Sequence, residues 1–237
     1  AVFKGKLSQK NQVKIPCVDI HGQGTLTIPM ELPEHDHAAV LYYPMPKRDL
    51  RTVALTMLTN QLLSPIFFQE MRTEKQYGYL VGVGFIPINR YPGIAFYIQS
   101  PHTDAVTLTA AMDNFIAKAS EYIADLPDEH WQHLQFGLAS QLQEKDTNLR
   151  IKSQRYCAAI CNKEASFIEK QKLIDIIKAL SINDVAEFFL QHFNGATAKD
   201  RLSLLSYENS TQLTTMGVNL KNNDNIAALL KKCQRKY

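Results

Sequence analysis

The stretch MRTEKQYGYLVGVG, residues 71–84, contains the transition that decides the fold. Before it, Leu55, Leu58 and Leu62 recur at intervals of three and four residues, the period of an amphipathic helix. After it comes the loop PINRYPG, residues 87–93, whose Pro, Asn and Gly are typical of a hairpin connection. The sequence therefore predicts a helix that leads directly into a β-hairpin.

The helix is predicted over Leu50–Met71, and Pro65 interrupts its pattern. Ser64 followed by Pro65 suits an N-cap and a first helical residue, so we expect a kink or a second helix to start there. The hairpin strands are predicted over Tyr79–Ile86 and Ile94–Gln99. This arrangement places residues 71–84 at a helix-to-strand junction.

Side-chain spacing indicates how the hairpin packs. Ile94, Phe96 and Ile98 alternate along the second strand, which predicts one apolar face. Gly82 and Gly84 stand inside the first strand, where a side chain would normally pack, so we expect a close backbone approach or a bulge there.

The rest of the chain contains strands at both ends and helices between them. Residues 24–32 and 37–44 are predicted strands, and residues 201–207 form a final one. Between residues 105 and 194 the apolar pattern is that of four or five helices. Because strands and helices are partly segregated, the predicted class is α+β, with a largely antiparallel sheet covered by helices.

The domain organisation is simple. We expect a lead-in segment over residues 1–24, a single α+β domain over 25–208, and a polar C-terminal tail over 209–237. The chain begins without Met and shows no signal-peptide pattern, so we expect a mature product or an excised piece of a longer protein.

Composition excludes several classes of function. Of the 237 residues 45% are hydrophobic, and the net charge of +3 is too small to indicate nucleic-acid binding. No apolar run approaches the roughly 20 residues that span a bilayer. We therefore expect a soluble protein with neither a nucleic acid nor a membrane as partner.

The four cysteines are widely scattered. Cys157 and Cys161 are four residues apart in a helical pattern, a spacing that seldom gives disulfide geometry. Buried thiols are therefore predicted. Without a disulfide framework, the cytoplasm is favoured over a bacterial periplasm.

Histidines are the first candidates for a metal site. His130 and His133 lie three residues apart in EHWQH, but the intervening Trp131 begins a core stripe, so both histidines are predicted to be exposed. His35 and His37 belong to a polar turn with no third ligand nearby in sequence. The chain contains neither H-E-x-x-H nor H-x-x-E-H, and no nucleophile motif or phosphate loop, so no metal ligand or catalytic residue is assigned in it.

Arg72 and Tyr79 are the remaining candidates. Arg72 ends the predicted helix with five N–H donors, and Tyr79 places a phenol at the start of the next strand. Both can donate hydrogen bonds to a carbonyl oxygen or an oxyanion. Alternatively, Arg72 caps the carbonyls of its own helix and Tyr79 packs at the sheet edge. The residues alone leave both interpretations open.

Residues 64–100, SPIFFQEMRTEKQYGYLVGVGFIPINRYPGIAFYIQS, resemble the C-terminal part of the insulinase/pitrilysin-family zinc metallopeptidases. That family shows a helix ending in the motif LRTxxQLGY, followed by a strand, a glycine-containing loop and a second strand ending in QS. Here the motif is MRTEKQYGY, with Met71 and Tyr77 in place of the leucines. The resemblance extends from residue 25 to residue 207, although its helical parts are less specific.

The resemblance implies a fold and a site. In that family four homologous domains form two halves that close around a chamber, and each domain is an α+β sandwich. The first domain binds zinc through H-x-x-E-H, whereas the last is catalytically silent and contributes an Arg and a Tyr. These two side chains hydrogen-bond the substrate backbone near the scissile carbonyl, a role that falls on Arg72 and Tyr79 here.

This chain departs from the family pattern because it lacks H-x-x-E-H. We therefore expect this chain to be the last, substrate-positioning domain of a zinc metalloendopeptidase that degrades peptides. The chain alone is expected to be inactive, and the zinc is expected in a domain absent here. Its expected partners are a peptide substrate and the N-terminal catalytic half of the same protein. The alternative is a non-enzymatic scaffold or assembly subunit on the same fold. A third possibility is an independent peptide-binding module. We expect the isolated domain to have no measurable affinity for peptides.

Overall fold

The structure is a computed structural model that describes residues 17–31, 36–144, 146–161, 168–194, 200–207 and 235–236. Most of the predicted lead-in segment and nearly all of the predicted tail lie outside these ranges. Within these ranges, no helix combines the length and the apolar character needed to cross a membrane.

A five-stranded sheet forms the centre of the fold. Its strands are β2 (Leu26–Glu31), β3 (His37–Pro44), β4 (Leu80–Phe85), β5 (Gly93–Ser100) and β6 (Leu202–Tyr207). Their spatial order is β2-β6-β3-β5-β4, so β2 and β4 are the edge strands. The pairing of β2 with β6 is parallel, and the other pairings are antiparallel. A separate small ladder pairs β1 (Cys17–Val18) with β7 (Arg235–Lys236).

Helices pack against the sheet. They are α1 (Leu50–Phe68), α2 (Ala105–Ala124), α3 (Asp128–Gln143), α4 (Leu149–Cys161), α5 (Glu169–Ala179) and α6 (Ile182–Phe189). Two π-helical turns, Gln69–Glu74 and Leu190–Asn194, continue α1 and α6. Helix α1 packs on β4 and α2 packs on β3. This order of elements confirms the predicted α+β class with a largely antiparallel sheet.

The apolar face of β5 forms the middle of the core. Ile94, Phe96 and Ile98 are buried, as their alternation predicts. The ring of Phe96 lies 5.5 Å from that of Phe67 on α1 and 6.4 Å from that of Phe115 on α2. Aromatic contacts of this kind add to the free energy of burial, so they tie the end of α1 firmly to the sheet.

Pro65 does not interrupt α1. The helix runs unbroken from Leu50 to Phe68, so the predicted second helix starting at Pro65 is wrong. Proline removes one backbone hydrogen bond from the helix. The loss is offset because Leu62, Leu63 and Phe67, on either side of it, are all buried in the core.

The predicted burial of the thiols is wrong for Cys157 and Cys161, which are exposed and free. The reason is the poor packing of α4, in which Ala159 alone has a buried side chain among the residues that the structure describes. Ala159 lies about 200° around the helix from Cys157, so the face that carries the thiols points away from the protein.

Gly82 has a close neighbour, but this neighbour is a side chain and not the predicted backbone segment. A Cβ atom at this position would lie 2.5 Å from the hydroxyl oxygen of Tyr97 on the neighbouring strand. At Gly84 the nearest atom would be 3.8 Å away, an ordinary contact. Of these two glycines, only Gly82 makes room for a neighbour.

Candidate functional site

The site begins at the π-helical turn that follows α1. The backbone N–H of Lys75 donates to the carbonyl of Glu70, five residues earlier, at 2.9 Å. Such turns are rare in proteins, and those that occur are frequently found at functional sites. Within this turn Met71 is fully buried. Because Met71 is fixed in the core, the adjoining Arg72 points outward.

The end of α1 has two distinct faces. Phe67 and Met71, four residues apart, both point into the core, and the Phe67 ring meets that of Phe115 edge-on at 5.0 Å. Phe68 and Arg72, also four residues apart, lie together on the exposed face. The packing of one pair therefore sets the position of the other.

The chain reverses direction at Gln76. Its φ of 52° is left-handed, a conformation that costs roughly 1–2 kcal/mol for a residue other than glycine. The backbone N–H of Tyr77 then donates to the carbonyl of Met71 at 3.1 Å, closing the turn, and the Tyr77 side chain packs against the core. A glutamine gives no sequence signal for this backbone conformation, so sequence reasoning did not predict it.

Gly78 brings the chain back against the sheet. A Cβ atom here would lie 1.9 Å from the backbone carbonyl oxygen of Gln99. Leu80, two residues later, pairs with the same Gln99 in the ladder of β4 and β5. Glycine is therefore required at this position, and the close approach holds Tyr79 directly before the first residue of β4.

These constraints bring the predicted site residues together. The guanidinium carbon of Arg72 lies 5.0 Å from the centre of the Phe68 ring and 5.8 Å from that of the Tyr79 ring. Tyr79 is 86% exposed, which excludes the interpretation that it packs at the sheet edge. Sequence reasoning missed Phe68, although its spacing of four residues from Arg72 was an available signal.

The donors of Arg72 and Tyr79 have no partner in the part of the chain that the structure describes. Neither the guanidinium nor the phenol hydroxyl makes a hydrogen bond or an ion pair there, so the capping interpretation of Arg72 finds no support. The result is a pair of adjacent hydrogen-bond donors, one of them positively charged, facing solvent. Such a pair can bind a carbonyl oxygen or stabilise an oxyanion.

Neither carboxylate on the same turn, Glu70 or Glu74, forms an ion pair with Arg72 among the described residues. Glu70 accepts from Nζ of Lys75 at 2.5 Å, and the Tyr122 hydroxyl lies 3.5 Å from its other oxygen. Desolvation and the charge of Glu70 raise the pKa of Tyr122, which keeps this phenol protonated as a donor. Glu70 is thus occupied by other groups, and the charge of Arg72 is available to a ligand.

The described residues offer no metal site. They contain no group of three or more His, Cys, Asp and Glu side chains close enough to hold an ion. His130 and His133 are exposed on α3 and Trp131 between them is buried, as predicted. His37 lies at the start of β3, and His35 falls outside the described residues. These residues do not fit a catalytic zinc.

A conservative change tests the role of Phe68 in holding Arg72. Phe68→Leu keeps an apolar side chain but removes the ring, and a cation–π contact at an exposed site contributes about 0.5–1 kcal/mol. We expect kcat/KM for a peptide, in the longer protein that contains this chain, to fall by about two- to fivefold, with the melting temperature nearly unchanged. Unaltered kinetics would show that the ring does not position the guanidinium.

Comparison with known proteins shows what this chain is similar to. The profile of the PQQ synthase PqqF-like, C-terminal lobe domain 4 family matches residues 58–157, a range that includes Arg72 and Tyr79. A nardilysin-like protein of Arabidopsis thaliana is 27% identical over 171 residues, which cover 71% of this chain and 17% of that protein. The chain is thus similar to proteins of the insulinase/pitrilysin family.

Two further relatives extend the comparison. A Schizosaccharomyces pombe protein named as a zinc protease is 25% identical over 205 residues, covering 84% of this chain and 20% of that protein. The crystal structure of pitrilysin superposes with a TM-score of 0.70 at 21% identity, over 81% of this chain and 20% of that one. The chain thus spans about a fifth of the length of these curated relatives.

Proposed function

We propose that this chain is the C-terminal, substrate-positioning domain of a longer zinc-dependent metalloendopeptidase that degrades peptides. Arg72 and Tyr79 hold the peptide by donating hydrogen bonds to a backbone carbonyl. One observation carries the proposal: the two side chains are stacked together, with their donors facing solvent and without a partner among the described residues. A protein that positions peptides needs such donors, whereas a folded core does not.

The two residues would act by orientation and charge stabilisation. A carbonyl held by two donors has its oxygen fixed, and the same donors bind more strongly once that oxygen becomes negative. Neither residue can act as a base toward water, because a guanidinium and a phenol hydroxyl serve here as hydrogen-bond donors. Zinc, bound in a domain outside this chain, supplies the activation of water when present.

The site is therefore half of an active site. The catalytic half belongs to the N-terminal part of the same protein, and the peptide lies between the two. The proposed domain covers residues 25–208 and is the last of the longer protein. The free thiols of Cys157 and Cys161 suit a reducing compartment, so the cytoplasm is the proposed location.

The isolated chain is expected to be inactive. Supplied with Zn²⁺ and an unstructured peptide, the 237-residue chain should release no fragments, because it provides donors but no group that activates water. The longer protein should cleave the same peptide, and a chelator should abolish the cleavage. Mass spectrometry of the peptide gives the readout. Chelator-sensitive cleavage by the isolated chain would contradict the proposed division of the site.

The alternative is a scaffold or assembly subunit on the same fold, which would need no peptide donors. It predicts that the longer protein contains no H-x-x-E-H and cleaves no peptide. It also predicts that Arg72→Ala changes nothing but surface charge. The unpartnered donors favour the positioning role.

A further inference from the structure

Helix α4 exposes two thiols one turn apart. Cys157 and Cys161 are separated by four residues, and both are exposed and free. On a helix, residues at this spacing lie on one face with about 5–6 Å between their Cβ atoms. The opposite face carries Ala159, the one side chain of α4 that is buried among the described residues. The thiols therefore point together into solvent.

Interactions at its N-terminal end hold α4 in shape. The Asn148 side chain accepts from the backbone N–H of Ile151 at 3.0 Å, which caps the helix. Arg155 binds both carboxylate oxygens of Asp146, at distances of 2.8–3.2 Å. The spacing of the two thiols is thus fixed by a capped helix and not by an irregular loop.

The spacing is wrong for a disulfide. A disulfide needs Cβ atoms about 3.5–4.5 Å apart, closer than the helix allows. An ion placed between the sulfur atoms relieves this restriction, because two bonds of about 2.3 Å, the length of a zinc–sulfur bond, span the gap. The pair is therefore poorly placed to oxidise internally and well placed to bind one ion from both sides.

We propose that Cys157 and Cys161 form a dithiol site that binds one soft metal or metalloid ion, of the class that accepts two sulfur ligands, such as trivalent arsenic. Soft thiolate ligands select soft ions. Zinc suits the site less well because structural zinc takes four protein ligands, and the described residues bring no third ligand to this helix. The site is separate from Arg72 and Tyr79 and does not depend on the proposed function.

Phenylarsine oxide, C₆H₅AsO, is the probe. Two arsenic–sulfur bonds form, while the arsenic–oxygen double bond and both S–H bonds break. The oxygen leaves as water with the two thiol protons. Arsenic stays trivalent, so the step needs neither an oxidant nor a reductant. An adduct with a single thiol exchanges readily with a monothiol, whereas the ring formed with two thiols on one helix does not.

The experiment is intact-mass spectrometry of the folded 237-residue chain after treatment with phenylarsine oxide and excess glutathione. We expect one adduct that survives glutathione and is removed by ethanedithiol. Cys157→Ser and Cys161→Ser should each lose it. Replacing the other two cysteines, Cys17 and Cys233, by serine should leave it unchanged.

A rescue variant separates geometry from the number of thiols. In Cys161→Ser with Ser153→Cys, the second thiol lies one turn on the other side of Cys157, at an exposed position. This variant should regain the glutathione-resistant adduct. The proposal is overturned if the unaltered chain forms no such adduct, if either single serine variant keeps it, or if the rescue variant does not restore it.

Discussion

Arg72→Ala and Tyr79→Phe should each lower kcat/KM for a peptide by about 10²–10³ in the longer protein, the usual cost of losing one donor to a developing oxyanion. Tyr79→Phe is the sharper of the two because it keeps the ring next to Arg72 and removes only the hydroxyl. If the donors bind the oxygen more strongly in the transition state than in the bound peptide, kcat should fall more than KM rises.

A matched control is available on another helix. Arg150→Ala removes an exposed arginine from α4 and should leave kcat/KM unchanged. The melting temperatures of all three variants should stay close to that of the unaltered protein, because Arg72 and Tyr79 are exposed. If both site variants keep kcat/KM within about threefold, the assigned role is wrong.

Gly78→Ala should disrupt the site as strongly as the loss of a donor. The added methyl would lie 1.9 Å from the carbonyl oxygen of Gln99. Because this oxygen belongs to the backbone of a strand, it cannot move aside as the end of a flexible side chain would. The backbone around residue 78 must therefore shift, and the shift displaces Tyr79, the next residue in the chain. We expect kcat/KM to fall by about 10²-fold or more, and the free energy of unfolding to fall by about 1–3 kcal/mol, the typical cost of overpacking.

Gly84→Ala is the control for this prediction. It makes the same change six residues further along, in the same hairpin, where the new methyl would meet nothing closer than 3.8 Å. Denaturant unfolding and peptide kinetics should separate the two variants clearly. Equal behaviour of the two would mean that the close approach at Gly78 does not position Tyr79.

Local patterns were sufficient to predict much of the fold. The alternation of Ile94, Phe96 and Ile98 fixed the inner face of β5, and the structure buries all three. Strand β3 spans His37–Pro44, the range that its β-forming residues predict. These elements are predictable because their period directly reflects burial.

Other features depend on contacts that a single sequence does not reveal. Pro65 remains inside α1 because tertiary packing outweighs one lost hydrogen bond. Gln76 takes a left-handed φ although glutamine has no preference for it. Cys157 and Cys161 are exposed because α4 packs so little of its surface. In each case the local sequence pattern does not determine the conformation or the exposure of the residue.

The candidate site was predicted in part. The donor chemistry of Arg72 and Tyr79 could be derived from the residues, but their meeting required the π-helical turn and the reversal at Gln76. Phe68 became visible as a neighbour of Arg72 only in three dimensions. Sequence patterns therefore indicated which groups matter, and tertiary structure determined how they are arranged.

The central claim is that Arg72 and Tyr79 bind a peptide carbonyl. A crystal structure of the longer protein, kept inactive by removal of its metal and soaked with a peptide, tests it most directly. We expect a guanidinium nitrogen of Arg72 and the hydroxyl oxygen of Tyr79 to lie about 2.7–3.2 Å from one backbone carbonyl oxygen of the bound peptide. A bound peptide whose carbonyl oxygens all lie beyond about 3.5 Å from both donors would contradict the claim.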